Sequence, residues 1–220
     1  MARERFTVYI VESPSSKDLY EGRGEGVMLL RALELAGIPS FHKMAVNREL
    51  LRDALTKGFI DAVKAGGLRP PVLHLSAHGF EDGIGLTSGE VVQWWDLGGL
   101  LGVLNDTVHG QLMVSMSSCK GLHGTKMVCS KGNLPFLALI GSQGEPTWPE
   151  TAIGFAAFYH NLAESGDLDE SIDAMRAASR HCGFEWLGGQ HARDEYNRII
   201  ERLKTEHEAT SPPPNHPPAA

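Results

Sequence analysis

The 220-residue chain has few cysteines, a shortage of positive charge and no long apolar run. Its three cysteines, Cys119, Cys129 and Cys182, are odd in number and share no framework spacing. That excludes a small disulfide-stapled domain and points to a reducing, cytoplasmic setting with one thiol free for chemistry. Lys and Arg total 20 against 27 Asp and Glu, a formal charge of −7, with a pI near 5.8. Phosphate binding needs grouped Lys and Arg, and no basic cluster is present, so no nucleic-acid partner is expected. No apolar run approaches the ~20 residues of a membrane-spanning helix. The first five residues pass into a strand-like segment without the apolar middle of a signal peptide. Cys119, His123, Cys129, His181 and Cys182 give only fragments of a paired zinc pattern. No metal and no cofactor are expected.

What is present is an alternation of strand-like and helix-like segments. Residues 6–11 are β-branched and aromatic, a first strand. Residues 12–20 read as a polar loop. Gly22, Gly24 and Gly26 lie past the strand end, at neither phosphate-loop spacing, among repelling glutamates. They read as a flexible connector to a helix from Met28 to Ala36, stopped by Gly37. A weak strand over residues 38–46 precedes a helix N-capped by Asn47 and running to about Ala65. Two glycines and two prolines lead to a strand ending at His78. Residues 80–95 form a hairpin excursion anchored by Trp94 and Trp95, and Asp96 starts a short helix. Residues 111–117 and 134–141 are further strands, separated by a glycine- and lysine-bearing loop. Helices follow over 151–164, 168–182 and 194–207. Alternating elements of this kind predict an α/β fold, a three-layer α/β/α sandwich around a mostly parallel sheet. One domain spans residues 1–208. Residues 209–220 hold five prolines and no core-forming side chain, so a disordered tail is expected.

Two of the strands end in reactive side chains. One reads Pro71-Val-Leu-His74-Leu-Ser-Ala-His78-Gly79, the other Gln111-Leu-Met-Val-Ser-Met-Ser117-Ser118-Cys119-Lys120-Gly121. Sites in open α/β sheets form past the carboxyl ends of strands. If the two strands are neighbours, a thiol and an imidazole meet there, which is the minimal apparatus of a cysteine nucleophile. Taken alone, Cys119 would be a small buried hydrophobe, as Cys129 and Cys182 are taken to be. His74 faces away from its strand neighbours and reads as a satisfied core histidine.

The paired motifs resemble those of the caspase-like (clan CD) cysteine peptidases, and among them the bacterial CHAT-domain proteases. The resemblance extends over residues 71–178, through the strand to Ser142 and the paired helices bearing Phe155, Phe158, Tyr159 and Leu162. It implies a caspase-like fold and a thiol protease with Cys119 as nucleophile and His78 as proton carrier. The backbone N–H groups of Gly79 and Cys119 would hold the oxyanion. It also implies a protein substrate, an activating protein partner and a role in bacterial regulation or defence. Ser117 stands where the metacaspase branch carries an acid. Ser117, Glu145 and Trp148 are the candidate substrate-binding residues, with Glu145 facing a basic side chain and Trp148 walling the pocket. The loop carrying Lys120, Lys126 and Lys131 is then a candidate for self-cleavage. Two other readings stand beside this one: a catalytically silent interaction module of the same fold, and a thiol amidase acting on a small molecule.

Overall fold

The computed structural model describes residues 6–129 and 132–210. The first strand, β1 (Thr7–Ser13), is buried along its whole length, as a Val/Ile-rich strand with parallel neighbours on both sides should be. Those neighbours are β2 (Ser40–Met44) and β3 (Pro71–Gly79). Beyond β3 lie β6 (Met113–Ser117), β7 (Ala138–Ser142) and β8 (Phe184–Gly188), giving the order β2-β1-β3-β6-β7-β8. All pairings in this row are parallel except β7 with β8. The short β4 (Gly83–Gly85) and β5 (Val91–Gln93) make the antiparallel excursion on the end of β3.

Alternation along β1 divides the core. Tyr9 and Val11 pack with Leu51, Leu55, Phe59, Leu97 and Leu101, from α3 (Arg48–Asp53), the turn after it, α4 (Phe59–Ala65) and α5 (Trp94–Thr107). Val8 and Ile10 pack with Leu29, Phe155, Phe158 and Met175, from α2 (Glu25–Leu35), α6 (Trp148–Ser165) and α7 (Leu168–Ser179). The three layers expected from the sequence are present. A short α1 (Ser16–Tyr20) and a final α8 (Gly189–Thr210) complete the helices.

Several boundaries differ from the sequence reading for identifiable reasons. The Gly22–Gly26 stretch (22–26) is not a flexible connector. Glu12, fully buried at the end of β1, accepts the Gly26 N–H at 2.9 Å, so its carboxylate caps α2 and helix begins at Glu25 rather than Met28. A Cβ at Gly26 would come within 2.6 Å of both Glu12 Oε2 and His42 Nε2, which is why glycine stands there. The helix after Asn47 contains a π-turn (Ala54–Gly58). There the buried Tyr9 hydroxyl donates to Ala54 O at 3.0 Å, interrupting the regular ladder. The loop after Cys119 is a 3₁₀ stretch (Gly121–Cys129) that buries Leu122, Met127 and Val128. Pro135 shortens the following strand to Ala138–Ser142. Strand β8 was not anticipated, and α8 runs on through Ala209 and Thr210. Residues 211–220 and Lys131 lie outside the described residues.

Burial alone would raise the Glu12 carboxyl, but His42 at 2.9 Å and the Gly26 and Glu25 amides outweigh it and hold it below the usual range. A depressed carboxyl stabilises the fold above its unfolded range and loses that contribution as pH falls through the folded value. The melting temperature of the native chain should therefore fall more steeply between about pH 5 and pH 3 than that of Glu12→Gln. Calorimetry across that interval checks it.

Candidate active site

The site grows from a polar ladder on one face of two buried strands. On β3 the alternate residues are His74, Ser76 and His78; on β6 and its extension they are Ser115, Ser117 and Cys119. The strands are adjacent and parallel, with His74 opposite Ser115 and Ser76 opposite Ser117. His78 and Cys119 follow two residues beyond these pairs, and both line one cleft. The lower rungs are buried, whereas His78 is exposed and Cys119 half-buried.

Gly79 is where β3 leaves the main sheet. It stands opposite Ile84, one residue from the Phe80 N–H to Gly83 O bond of 2.8 Å. Hydrogen-bonded and non-hydrogen-bonded pairs alternate in an antiparallel ladder, so the Gly79 N–H points away from β4. A Cβ at Gly79 would lie 1.8 Å from the Cys119 carbonyl oxygen, so only glycine permits this approach. Lys120, in the left-handed region at φ 53°, gives its N–H to Gly144 O at 2.7 Å and is unavailable as an oxyanion donor. The Gly79 N–H, turned away from β4, stands at this edge beside the Cys119 backbone.

A cleft of about 30 Å³ is lined by Ala77, His78, Ser117, Ser118, Cys119, Pro146, Trp148 and Thr151. Of the expected substrate-binding residues, the structure thus brings Ser117 and Trp148 to the thiol and imidazole. Trp148 packs edge-on against His78 with ring centroids 6.0 Å apart. Ser117 is buried and turns its hydroxyl inward. Glu145 is not among the lining residues; it lies exposed on the rim, with Oε1 3.9 Å from Lys120 Nζ. Burial raises the Cys119 thiol, and Glu145 raises it further, while its own N–H and Lys120 act in the opposite sense. Removing the Glu145 charge should therefore lower the thiol pKa. Iodoacetamide alkylation of Cys119 in Glu145→Gln at neutral pH is expected to run about two- to fivefold faster than in the native chain. An unchanged rate would show that the rim charge does not reach the sulfur.

The sequence reading missed Glu25. Its carboxylate is buried at the start of α2 and accepts Ser76 Oγ at 2.7 Å and Ser117 Oγ at 2.5 Å, both on Oε2. Oε1 has no hydrogen-bond partner among the described residues; His74 Nε2 is 3.9 Å away. His74 is a core histidine, its Nδ1 3.0 Å from the Tyr159 hydroxyl and its ring edge-on to Phe155, but it is only half satisfied: Nε2 has no hydrogen-bond partner among the described residues. Glu25 also lines a hollow of about 680 Å³ with Asp18, Arg23, Met28, Trp148 and Pro149. Trp148 is common to hollow and cleft. The ordinary reading of a glutamate in a first helical turn is a solvated cap. Only the pairing with Ser76 and Ser117, each two residues before a candidate catalytic group, marks this one out.

Among the described residues no helix is long and apolar enough to cross a membrane. No family model matches the sequence, and no curated protein matches it. In structure the chain is similar to a secreted C11 cysteine protease from Bacteroides thetaiotaomicron, solved with an irreversible peptide inhibitor. The TM-score is 0.56 at 10% identity, over 86% of this chain and 67% of that one. It also matches the Arg-specific cysteine proteinase gingipain R (TM-score 0.49, 14% identity, 86% and 48% of the two chains). A third match is the complex of Porphyromonas gingivalis RgpB pro- and mature domains (0.48, 11%, 83% and 46%). The chain thus spans about half the length of the two gingipain chains. The expected architecture, helices on both faces of a mostly parallel sheet, is that of the C11 protease, and this chain has the caspase-like α/β fold.

Proposed function

We propose that this chain is a cysteine endopeptidase working through a Cys119–His78 dyad, of the kind found in bacterial CHAT-domain proteases. The observation that supports the reading is that β3 and β6 pair in parallel up to Ser76 and Ser117, and that His78 and Cys119, two residues further on, line the same cleft. In the reaction, His78 takes the Cys119 proton as the sulfur bonds to the scissile carbonyl carbon. The oxyanion is held by the Gly79 and Cys119 amides. The C–N bond breaks as His78 returns the proton to the leaving amine. Water, deprotonated by His78, then hydrolyses the thioester and restores the thiol.

A hollow of about 680 Å³ beside a small reaction cleft suits one side chain of an extended peptide better than a small amide enclosed whole. It is lined by Glu25, by Asp18 and Arg23, which pair at 2.9 Å, and by Trp148, so that among the described residues lining it Glu25 is the carboxylate left without a basic side chain within hydrogen-bond reach. That combination favours a basic side chain before the scissile bond, with Glu25 in the role the sequence reading gave to Glu145. A protein substrate, an activating partner, a cytoplasmic setting and service in a bacterial regulatory or defence system complete the reading. For self-cleavage, Lys120 is held in a turn and Lys126 Nζ donates to Glu81 O at 2.8 Å, which leaves Lys131 as the residue of interest.

The test is digestion of a reduced, alkylated and unfolded protein, with new termini mapped by mass spectrometry. Cuts after Arg and Lys that vanish in Cys119→Ala are expected. Cuts after Asp or Leu would overturn the basic preference. No cuts, together with no labelling of Cys119 by any peptidyl ketone, would leave the silent interaction module as the better account.

A further inference from the structure

Behind the cleft lies a second constellation of serine, histidine and glutamate. Ser142 Oγ is 2.9 Å from His181 Nε2, and Glu150 Oε1 is 4.0 Å from His181 Nδ1. The order of groups is that of a hydrolase triad, but the surroundings are not. Ser142 is fully buried, and its oxygen already accepts the Gly144 N–H at 3.0 Å. Backbone presses on the pair: a Cβ at Gly183 would come 3.0 Å from His181 Nε2 and 3.1 Å from Ser142 Oγ. No substrate carbonyl reaches that hydroxyl.

A tautomer with hydrogen on Nδ1 matches the polar groups around the ring. Gly144 N–H donates to Ser142 Oγ, Ser142 O–H donates to Nε2, and Nδ1–H faces the Glu150 carboxylate. His181 itself is fixed at the turn between α7 and β8, after the left-handed Arg180 cap and edge-on to Phe184 at 5.0 Å.

Two chains of contact run from this imidazole to the two catalytic side chains. Through Ser142 it holds Gly144, whose carbonyl accepts Lys120 N–H. Lys120 follows the nucleophile and sits at a positive φ that a non-glycine residue keeps only when neighbouring structure holds it. Through Glu150 it touches the cap of α6: the carboxylate accepts Thr147 N–H at 2.6 Å and Thr147 Oγ1–H at 2.7 Å. The next residue is Trp148, which packs on His78.

We propose that His181 is a positioning residue, bolting the segment 143–148 so that the Cys119 turn and the Trp148 wall keep their places. The catalytic half of this rests on the peptidase reading above; the structural half does not. The experiment measures amide hydrogen exchange in native, His181→Ala and His181→Gln chains. It adds the kinetics of Cys119 labelling by an Arg acyloxymethyl ketone and by iodoacetamide. In His181→Ala the Lys120 and Gly144 amides should exchange about tenfold faster while the β1 amides hold. The ketone should bind about tenfold more weakly, with iodoacetamide alkylation within about twofold of native. Glutamine, whose amide can meet the Ser142 hydroxyl, should recover both to within roughly threefold.

Faster exchange throughout the sheet, or none at Lys120 and Gly144, would overturn the proposal. So would unaltered ketone binding with a lowered melting temperature. If His181→Ala does not fold, Ser142→Ala is judged by the same outcomes. If the Arg ketone fails on the native chain too, the basic preference fails; if Asp and Leu ketones fail as well, the peptidase reading fails, and the exchange data still decide whether His181 is the bolt.

Discussion

Replacing Cys119 with alanine should reduce peptide-bond hydrolysis to background, a fall of roughly 10⁴-fold or more, with little change in melting temperature. The size follows from the chemistry. Among the described residues no other thiol or hydroxyl lining the cleft faces solvent: Ser117 donates inward to Glu25, Ser118 is buried, and Thr151 donates to Trp148 O. The mild effect on stability follows from position. Cys119 is half-buried at a strand end, and losing one sulfur removes few packed contacts. His78→Ala should cost about 10²- to 10⁴-fold in turnover and leave the thiol open to iodoacetamide. A lowered melting temperature in that variant would mean that the imidazole holds the fold rather than the proton.

Glu25→Gln should lower kcat/KM for a substrate with Arg before the scissile bond by roughly 10²- to 10³-fold, while the melting temperature stays level or rises. The two effects have one cause. The buried carboxylate receives two hydroxyls on Oε2 and nothing on Oε1. Such a charge is costly in the empty protein and is repaid when a guanidinium supplies the missing partner. Glutamine still accepts from Ser76 and Ser117 but carries no charge, so the resting fold is relieved and the cationic substrate loses its partner. A substrate with Leu at the same place should be cleaved no worse by the variant. If Glu25→Gln is destabilised and cuts Arg and Leu substrates equally poorly, the residue is structural, and Asp18 or Glu145 would have to carry any basic preference.

The adjacency of the two strands that lead to His78 and Cys119 was legible because their period is visible in the sequence. His74, Ser76 and His78 alternate with apolar residues, as do Ser115 and Ser117 before Cys119. Parallel pairing of two such strands has few registers that bury Leu73, Leu75, Val114 and Met116 together. Gly79 was legible for the same reason, as a glycine at the point of closest approach. Glu25 was not. Its partners lie 51 and 92 residues away, and nothing local separates it from a solvated first-turn glutamate. Glu145 drew notice because a carboxylate after the strand bearing Ser142 is well placed in sequence. Only the structure shows it beside Lys120 on the rim. Strand β8 escaped because Phe184-Glu-Trp-Leu-Gly188 is short and largely half-buried, and its antiparallel place at the sheet edge depends on α6 and α7 first packing together.

The most direct test of the account is peptide mapping of the intact chain after brief exposure to an Arg acyloxymethyl ketone. Cys129 and Cys182 are both exposed, and Cys119 is not. Accessibility alone would therefore label the first two. The account predicts a single adduct, on Cys119, lost in His78→Ala and reduced in Glu25→Gln. Adducts spread over Cys129 and Cys182, with Cys119 untouched, would contradict it.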